Sequence, residues 1–166
     1  MFLASVCAYC TDNGLTQMIT HVKRRPNSTQ AEFWNYWYTK HAPKVAPLAK
    51  YFNISEYSQI QVAGHVLPIA AGATEPASDV PVAYDGIAIF RYRSPDDLTA
   101  MLAHPYYKDV VGPDETVFID KSAFGGGQVA THVGIYFGVV SNNSIVWAGN
   151  RTMEEEYQEL FDSYNL

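Results

Sequence analysis

The stretch MITHVKRRPNSTQAEFWNYWYTKHAPKVAPL, Met18 to Leu48, decides the fold. It reads as a short strand, a basic turn through Lys23, Arg24 and Arg25, and an aromatic-rich helix. Thr29 with Glu32 three residues on fits a capping box, each side chain satisfying an orphan backbone N–H at the helix start. Phe33, Trp37 and His41 recur every four residues and so share one face, with Trp34 and Tyr38 as a neighbouring stripe. Pro43 has no N–H for the carbonyl of Thr39 and biases Ala42 away from helical angles. The helix is therefore expected to end or kink just after His41, with a second short helical piece beyond Pro43.

Outward from this stretch, Met18 to Lys23 is the first expected strand and Tyr51 to Val62 the second. Gly64 to Val82, rich in Pro and Gly, reads as a long loop of the kind that forms lids or entrances. Tyr84 to Tyr92 is a clear third strand, with Ile87 and Ile89 on one face and Ala88, Phe90 and Tyr92 on the other. Ser94, Pro95 and two acids then open a helix. Tyr106 to Val111 continues as a short helical piece, and Glu115 to Asp120 reads as a fourth strand. This order gives an α+β chain with the split βαβ plan of a ferredoxin-like unit. Two helices cover one sheet face, while the other is still apolar and needs a cover.

The expected domain plan is an irregular arm over 1–16, the α+β unit over 17–121 and an extension over 122–166. Gly125 to Gly127 reads as a hinge. Thr131 to Val140 and Ser144 to Ala148 form a hairpin around Asn142-Asn143-Ser144. Thr152 with Glu155 suggests a capping box for a final acidic helix. This extension can cover the unit, reinforce a dimer by arm exchange or block dimerisation, and dimer reinforcement by exchange is preferred.

At 166 residues the chain can bury one core, and 48% hydrophobic with 17% charged residues places it among globular proteins. An aromatic share of 14% suits an aromatic-lined cavity or simply an aromatic core. A net charge of -6 argues against a general nucleic-acid binder, since phosphate neutralisation needs a basic surface. No run approaches the roughly 20 apolar residues of a membrane span, and no signal peptide is read, so a cytoplasmic protein is expected. The Asn-x-Ser/Thr sites are then chance matches. Cys7 and Cys10 form a lone Cys-x-x-Cys without the strand–helix junction or further ligands that redox or zinc chemistry needs.

His41 is the first chemical candidate, because it shares the face of Phe33 and Trp37 and should point between helix and sheet. Imidazole suits proton transfer near neutral pH. The alternative is a structural histidine that caps the helix end. Asp120 ends a strand and can pair with a base, whereas Asp85 begins one and can complete a turn. His21 lies on the first strand, His65 in the long loop and His104 before Pro105 at a helix break. Five histidines so spread lack the close spacing of a metal set. There is also no dinucleotide-binding glycine motif, Walker loop or nucleophile elbow, which points to chemistry without a cofactor.

Three segments carry a resemblance: VKRRPNSTQAEFWNYWYTKHAPKV, YDGIAIFRYRSPDDL and DETVFID. In this order they resemble the EthD family of dimeric α+β-barrel proteins, over roughly Met18 to Lys121. The resemblance implies that the open sheet face is covered by a second subunit, closing a barrel in a homodimer. It also implies a tailoring enzyme acting on an aromatic polyketide-like substrate, by dehydration, decarboxylation or cyclisation. On that reading His41 is the acid/base and Asp120 or a tyrosine orients it, with His21 as a further catalytic candidate. Phe33, Trp37 and Phe90 would stack on the substrate rings, and Tyr57, His65, Asp85 and His104 would line the site. Two alternatives stay open on the same fold: a cofactor-free anthrone-type oxygenase, and a non-enzymatic ligand-binding accessory module.

Overall fold

The structure is a computed structural model and describes residues 14–164. The chain divides into a unit over 15–135 and a second that holds the residues from 136 onward. In the first, β1 (Leu15–Val22) leads through the basic turn to α1 (Gln30–Tyr36), a π-helical turn (Trp37–His41) and α2 (Ala42–Tyr51). Then follow β2 (Glu56–Ile60), the short ribbon of β3 (Gly64–Val66) and β4 (Val82–Tyr84), β5 (Gly86–Tyr92) and α3 (Pro95–Ala103). A second π-helical turn (Tyr107–Val111) precedes α4 (Gly112–Phe118), and β6 (Gln128–Tyr136) completes the sheet. The residues expected to form an N-terminal arm, with Cys7 and Cys10, lie almost entirely outside the described residues, and β1 begins at Leu15.

The sheet order is β2-β5-β1-β6. Numbered within the sheet alone, the chain's four strands run 2-3-1-4, the ferredoxin-like arrangement expected from the sequence. β1 and β5 are antiparallel, with Met18 opposite Phe90 and Thr20 opposite Ala88, so these side chains share one face. That face meets the helices. Val45, Leu48, Leu98, Met101 and Val111 form one buried cluster with Tyr92, and Phe33, Trp37 and Phe118 form another with Val22 and Ala88. Burying a side chain such as Phe33 or Met101 contributes roughly 1.5–3 kcal/mol.

The capping box forms: Thr29 Oγ1 accepts from the Glu32 N–H at 3.2 Å, and Glu32 accepts the Thr29 N–H at 2.8 Å. Ser94 caps α3 through its side chain alone, accepting the Asp96 N–H at 3.2 Å. Other expectations are corrected. Of the end or kink expected just after His41, the end does not occur, and the helix runs on. It widens by one residue, the Ala42 N–H reaching back to the Trp37 carbonyl, and then continues through the proline. Glu115 to Asp120 is not the fourth strand. Gly112-Pro113 followed by two acids starts a helix, and Asp114 and Phe118, one turn apart, are buried together on it.

The fourth strand is β6, whose residues are expected from the sequence to lie in the extension. Gly125 to Gly127 are the tight turn that feeds it, with φ of 60°, 65° and 90°. The Gly127 carbonyl accepts the Lys23 N–H at 2.8 Å. The unit expected over 17–121 thus needs the residues up to 135 to complete its sheet.

The second unit contains the expected hairpin in short form, β7 (Val140–Ser141) and β8 (Ser144–Ile145). Asn142 and Asn143 make the turn at φ of 48° and 59°, as a two-residue hairpin requires. α5 (Arg151–Asp162) is capped by Asn150, not Thr152, because the Asn150 side chain accepts the N–H groups of Thr152 and Met153. None of its residues is buried.

Candidate active site

Between the sheet and the helix layer lies a cavity of about 250 Å³. Its sheet side is Met18, Thr20 and Val22 of β1, Tyr57 of β2, and Ala88 and Phe90 of β5. Its helix side includes His41, Val45, Tyr107, Val111 and Glu115. The two π-helical turns deliver His41 and Tyr107, and α4 delivers Asp114 and Glu115.

His41 is buried, and its Nδ1 lies 2.9 Å from Asp114 Oδ2. Asp114 is also bonded at Oδ1 by the Tyr36 hydroxyl, at 2.7 Å, and by the Lys44 ammonium. Burial works to raise the Asp114 carboxyl, but the bonds from Lys44, Tyr36 and His41 outweigh it and hold the group below its ordinary value. A carboxylate in that state accepts the Nδ1 proton and fixes the tautomer, leaving Nε2 unprotonated and available to a ligand in the cavity. Burial lowers the His41 pKa from 6.5, with Lys44 adding to the effect and Asp114 and Glu115 opposing it. The imidazole is therefore neutral at pH 7, a base in waiting.

Two phenols complete the polar lining. Tyr107 donates its proton to Glu115 Oε1 at 2.8 Å, and Lys121 holds Oε2 at 2.6 Å. Tyr57 stacks on Phe90 with ring centroids 4.6 Å apart, and its oxygen accepts from Gln59 Nε2 at 2.7 Å. Burial pushes Tyr57 up to about 12, and it raises Tyr107 further, with the Glu115 charge adding to the effect. Thr20 and Thr131, both buried, bond each other at 3.3 Å on the sheet side.

Residues 25–122 match the model of the EthD domain. The chain belongs to the EthD domain family. The conidial pigment biosynthesis dehydratase EthD of Metarhizium robertsii is 27% identical over 99 residues, which cover 60% of this chain and 70% of that protein. Among solved structures, an EthD-like protein from Ralstonia eutropha shares 17% identity at a TM-score of 0.44, over 79% of this chain and 97% of that one. An EthD family protein from Bacillus halodurans shares 14% at 0.41, over 75% and 98%.

Of the residues singled out in the sequence of this EthD domain, the structure brings His41, Tyr57 and Phe90 to the cavity. Phe33 and Trp37 are core side chains, packed on each other at 5.4 Å beside Phe118. His21 points to the opposite sheet face, its ring 4.7 Å from Tyr84 and 5.7 Å from His132. Asp85 is paired with Arg24 at 3.0 Å, and its carbonyl accepts the Trp34 indole N–H at 2.6 Å. His65 is exposed on the β3–β4 ribbon. His104 ends α3, accepting the Tyr106 N–H at 3.2 Å beside Phe52.

Asp120 bonds Ser122 at 2.6 Å and pairs with Lys23 at 3.7 Å. It holds a turn, and the carboxylate on His41 is Asp114. Asp114, Glu115, Tyr36 and Tyr107 do not stand out in the sequence. The Gly-Pro-Asp-Glu helix start was the available signal, masked by the alternation of Val117, Phe118 and Ile119. Among the described residues no group of three or more His, Cys, Asp or Glu is placed to hold a metal ion, and no helix is long and apolar enough to cross a membrane.

Proposed function

We propose that this EthD protein is a cofactor-independent lyase of aromatic polyketide tailoring, acting by acid/base catalysis through His41. The observation that carries the reading is the buried His41–Asp114 pair on an apolar cavity with aromatic walls. In a dehydration, Nε2 takes the proton from the carbon next to a carbonyl, and the charge moves onto the carbonyl oxygen. The imidazolium then gives the same proton to the departing hydroxyl, which leaves as water. Asp114 stabilises the imidazolium between the two transfers. The name of the Metarhizium robertsii relative, a dehydratase, supports the same direction. Decarboxylation of a β-keto acid is the variant reaction: Nε2 takes the carboxyl proton, the bond to the carboxyl carbon breaks to release carbon dioxide and an enolate, and the imidazolium returns that proton to the enolate carbon.

A second copy of the chain covering the sheet face of Ile19, Ile87 and Ile89 is part of the proposal, since these half-buried side chains lie on the face away from the helices. The deciding experiment is aerobic and anaerobic incubation with neutral hydroxy ketones of one to three rings, with an atrochrysone-type carboxylic acid and with related anthrones, each read by product mass. Loss of water or carbon dioxide in both atmospheres, abolished by His41→Ala, is the expected result. A gain of oxygen only in air replaces the reading with the oxygenase. Turnover by His41→Ala within a few-fold of wild type overturns the role of His41.

A further inference from the structure

We propose that the cavity is built for a neutral β-hydroxy ketone of one or two rings, whose carbonyl oxygen is received by the Tyr57 hydroxyl. This rests on the lyase reading and narrows it to dehydration. Three observations carry it.

The first is charge. Glu115 is the one Asp, Glu, Lys or Arg among the described residues that line the cavity. Both of its oxygens are already engaged, by Tyr107 and Lys121. A substrate carboxylate entering here meets a like charge and no lysine or arginine, and an unpaired buried anion is costly. A neutral ketone carries no such penalty.

The second is donor geometry. Charge that develops on a carbonyl oxygen needs a hydrogen-bond donor already in place. Two phenols line the cavity, and one has spent its proton, because Tyr107 gives it to Glu115. Tyr57 has not. Its oxygen receives the Gln59 amide at 2.7 Å, and that amide is oriented by the Trp37 carbonyl, 3.3 Å away, which can only accept. Gln59 Oε1 is accordingly turned away and buried without a partner. The Tyr57 proton has no acceptor among the described residues, while the ring is fixed against Phe90. With its pKa pushed up to about 12 by burial, the phenol stays a donor across the working range.

The third is size. At about 250 Å³ the cavity falls below the roughly 300–1,000 Å³ of sites for drug-sized ligands, which suits one or two rings better than three.

The step balances without a further reagent. His41 Nε2 takes the proton between the carbonyl and the carbinol carbon. The C–H electron pair becomes a carbon–carbon double bond, and the carbonyl π pair moves to the oxygen held by Tyr57. The carbonyl then re-forms, the C–O bond of the β-hydroxyl breaks, and the imidazolium proton leaves with it as water.

The test uses full-length protein with 3-hydroxy-1-tetralone, which becomes 1-naphthol on losing water. It also uses calorimetric binding of 1-naphthol and of 1-hydroxy-2-naphthoate. Wild type is expected to form 1-naphthol and to bind it about tenfold or more tightly than the carboxylate, because the anion is buried unpaired. Tyr57→Phe keeps the stack on Phe90, so its KM should change little while kcat falls about 100-fold, the usual loss for one such donor. Its acidic pH limb, which belongs to His41, should stay in place. Equal or tighter binding of the carboxylate overturns the proposal, as does a wild type that leaves the tetralone unchanged. If Tyr57→Phe turns over normally while His41→Ala is dead, this proposal falls and the lyase reading stands. If both variants turn over normally, the lyase reading falls with it.

Discussion

His41 is bracketed by groups that pull its proton affinity in opposite directions, and each makes a separate prediction. Burial and Lys44 lower the pKa from 6.5, and Asp114 raises it. The base form is therefore kept through neutral pH, and kcat/KM should fall only as pH drops through a value below 6.5. Stability follows the same sign. The unfolded chain takes up this proton more readily than the folded one, so His41 costs stability as pH falls below the unfolded value. Asp114→Asn removes a raising charge, so the acidic limb should move to lower pH. Turnover should fall by roughly 10²-fold or more, because the imidazolium loses its counter-charge. Lys44→Met removes a lowering charge and should move the limb the other way. A pH–rate profile of the two variants checks both directions, and limbs that move together refute the scheme.

At the scale of elements, two helices carry the same device. Trp37 to His41 precedes Pro43, and Tyr107 to Val111 precedes Pro113. In each the N–H of the residue just before the proline, Ala42 or Gly112, bonds five residues back instead of four. The widened turn lets the helix pass a residue that cannot donate, and such turns re-aim side chains at functional sites. It is why a break is expected where a bulge occurs. Thr29→Ala should lose about 1 kcal/mol of stability through the lost cap. Gly127→Ala should cost more, about 1–3 kcal/mol, because the residue sits at φ of 90° and an added Cβ runs into Ile119 and the Asp120 carbonyl. Urea unfolding of the two variants against wild type measures both.

At the scale of the whole molecule, the α+β order was legible because strand and helix periods are local. Yet the strand that closes the sheet was misplaced by one element. Val117, Phe118 and Ile119 are apolar in a row, and such a run fits a strand or a buried helix equally well. What separates them is Asp114, buried against Tyr36, Lys44 and His41 on another helix. The proposed pairing of two copies through the sheet belongs to this scale. Full-length protein should sediment as a dimer, and Ile89→Asp should shift it to monomer. Unchanged sedimentation of that variant removes the sheet face as the interface.

By itself the sequence determined the ferredoxin-like class, the capping of the first helix, and a histidine directed at the space between helix and sheet. These depend on spacing within one segment. Only the tertiary structure decided that Asp114 and not Asp120 is its partner, 73 residues away in the chain. Only it decided that Tyr57, Phe90 and Tyr107 share the cavity while Phe33 and Trp37 are core. The reason is physical: a carboxylate or a phenol has no periodicity of its own, and its role is set by which groups the fold places within hydrogen-bond reach.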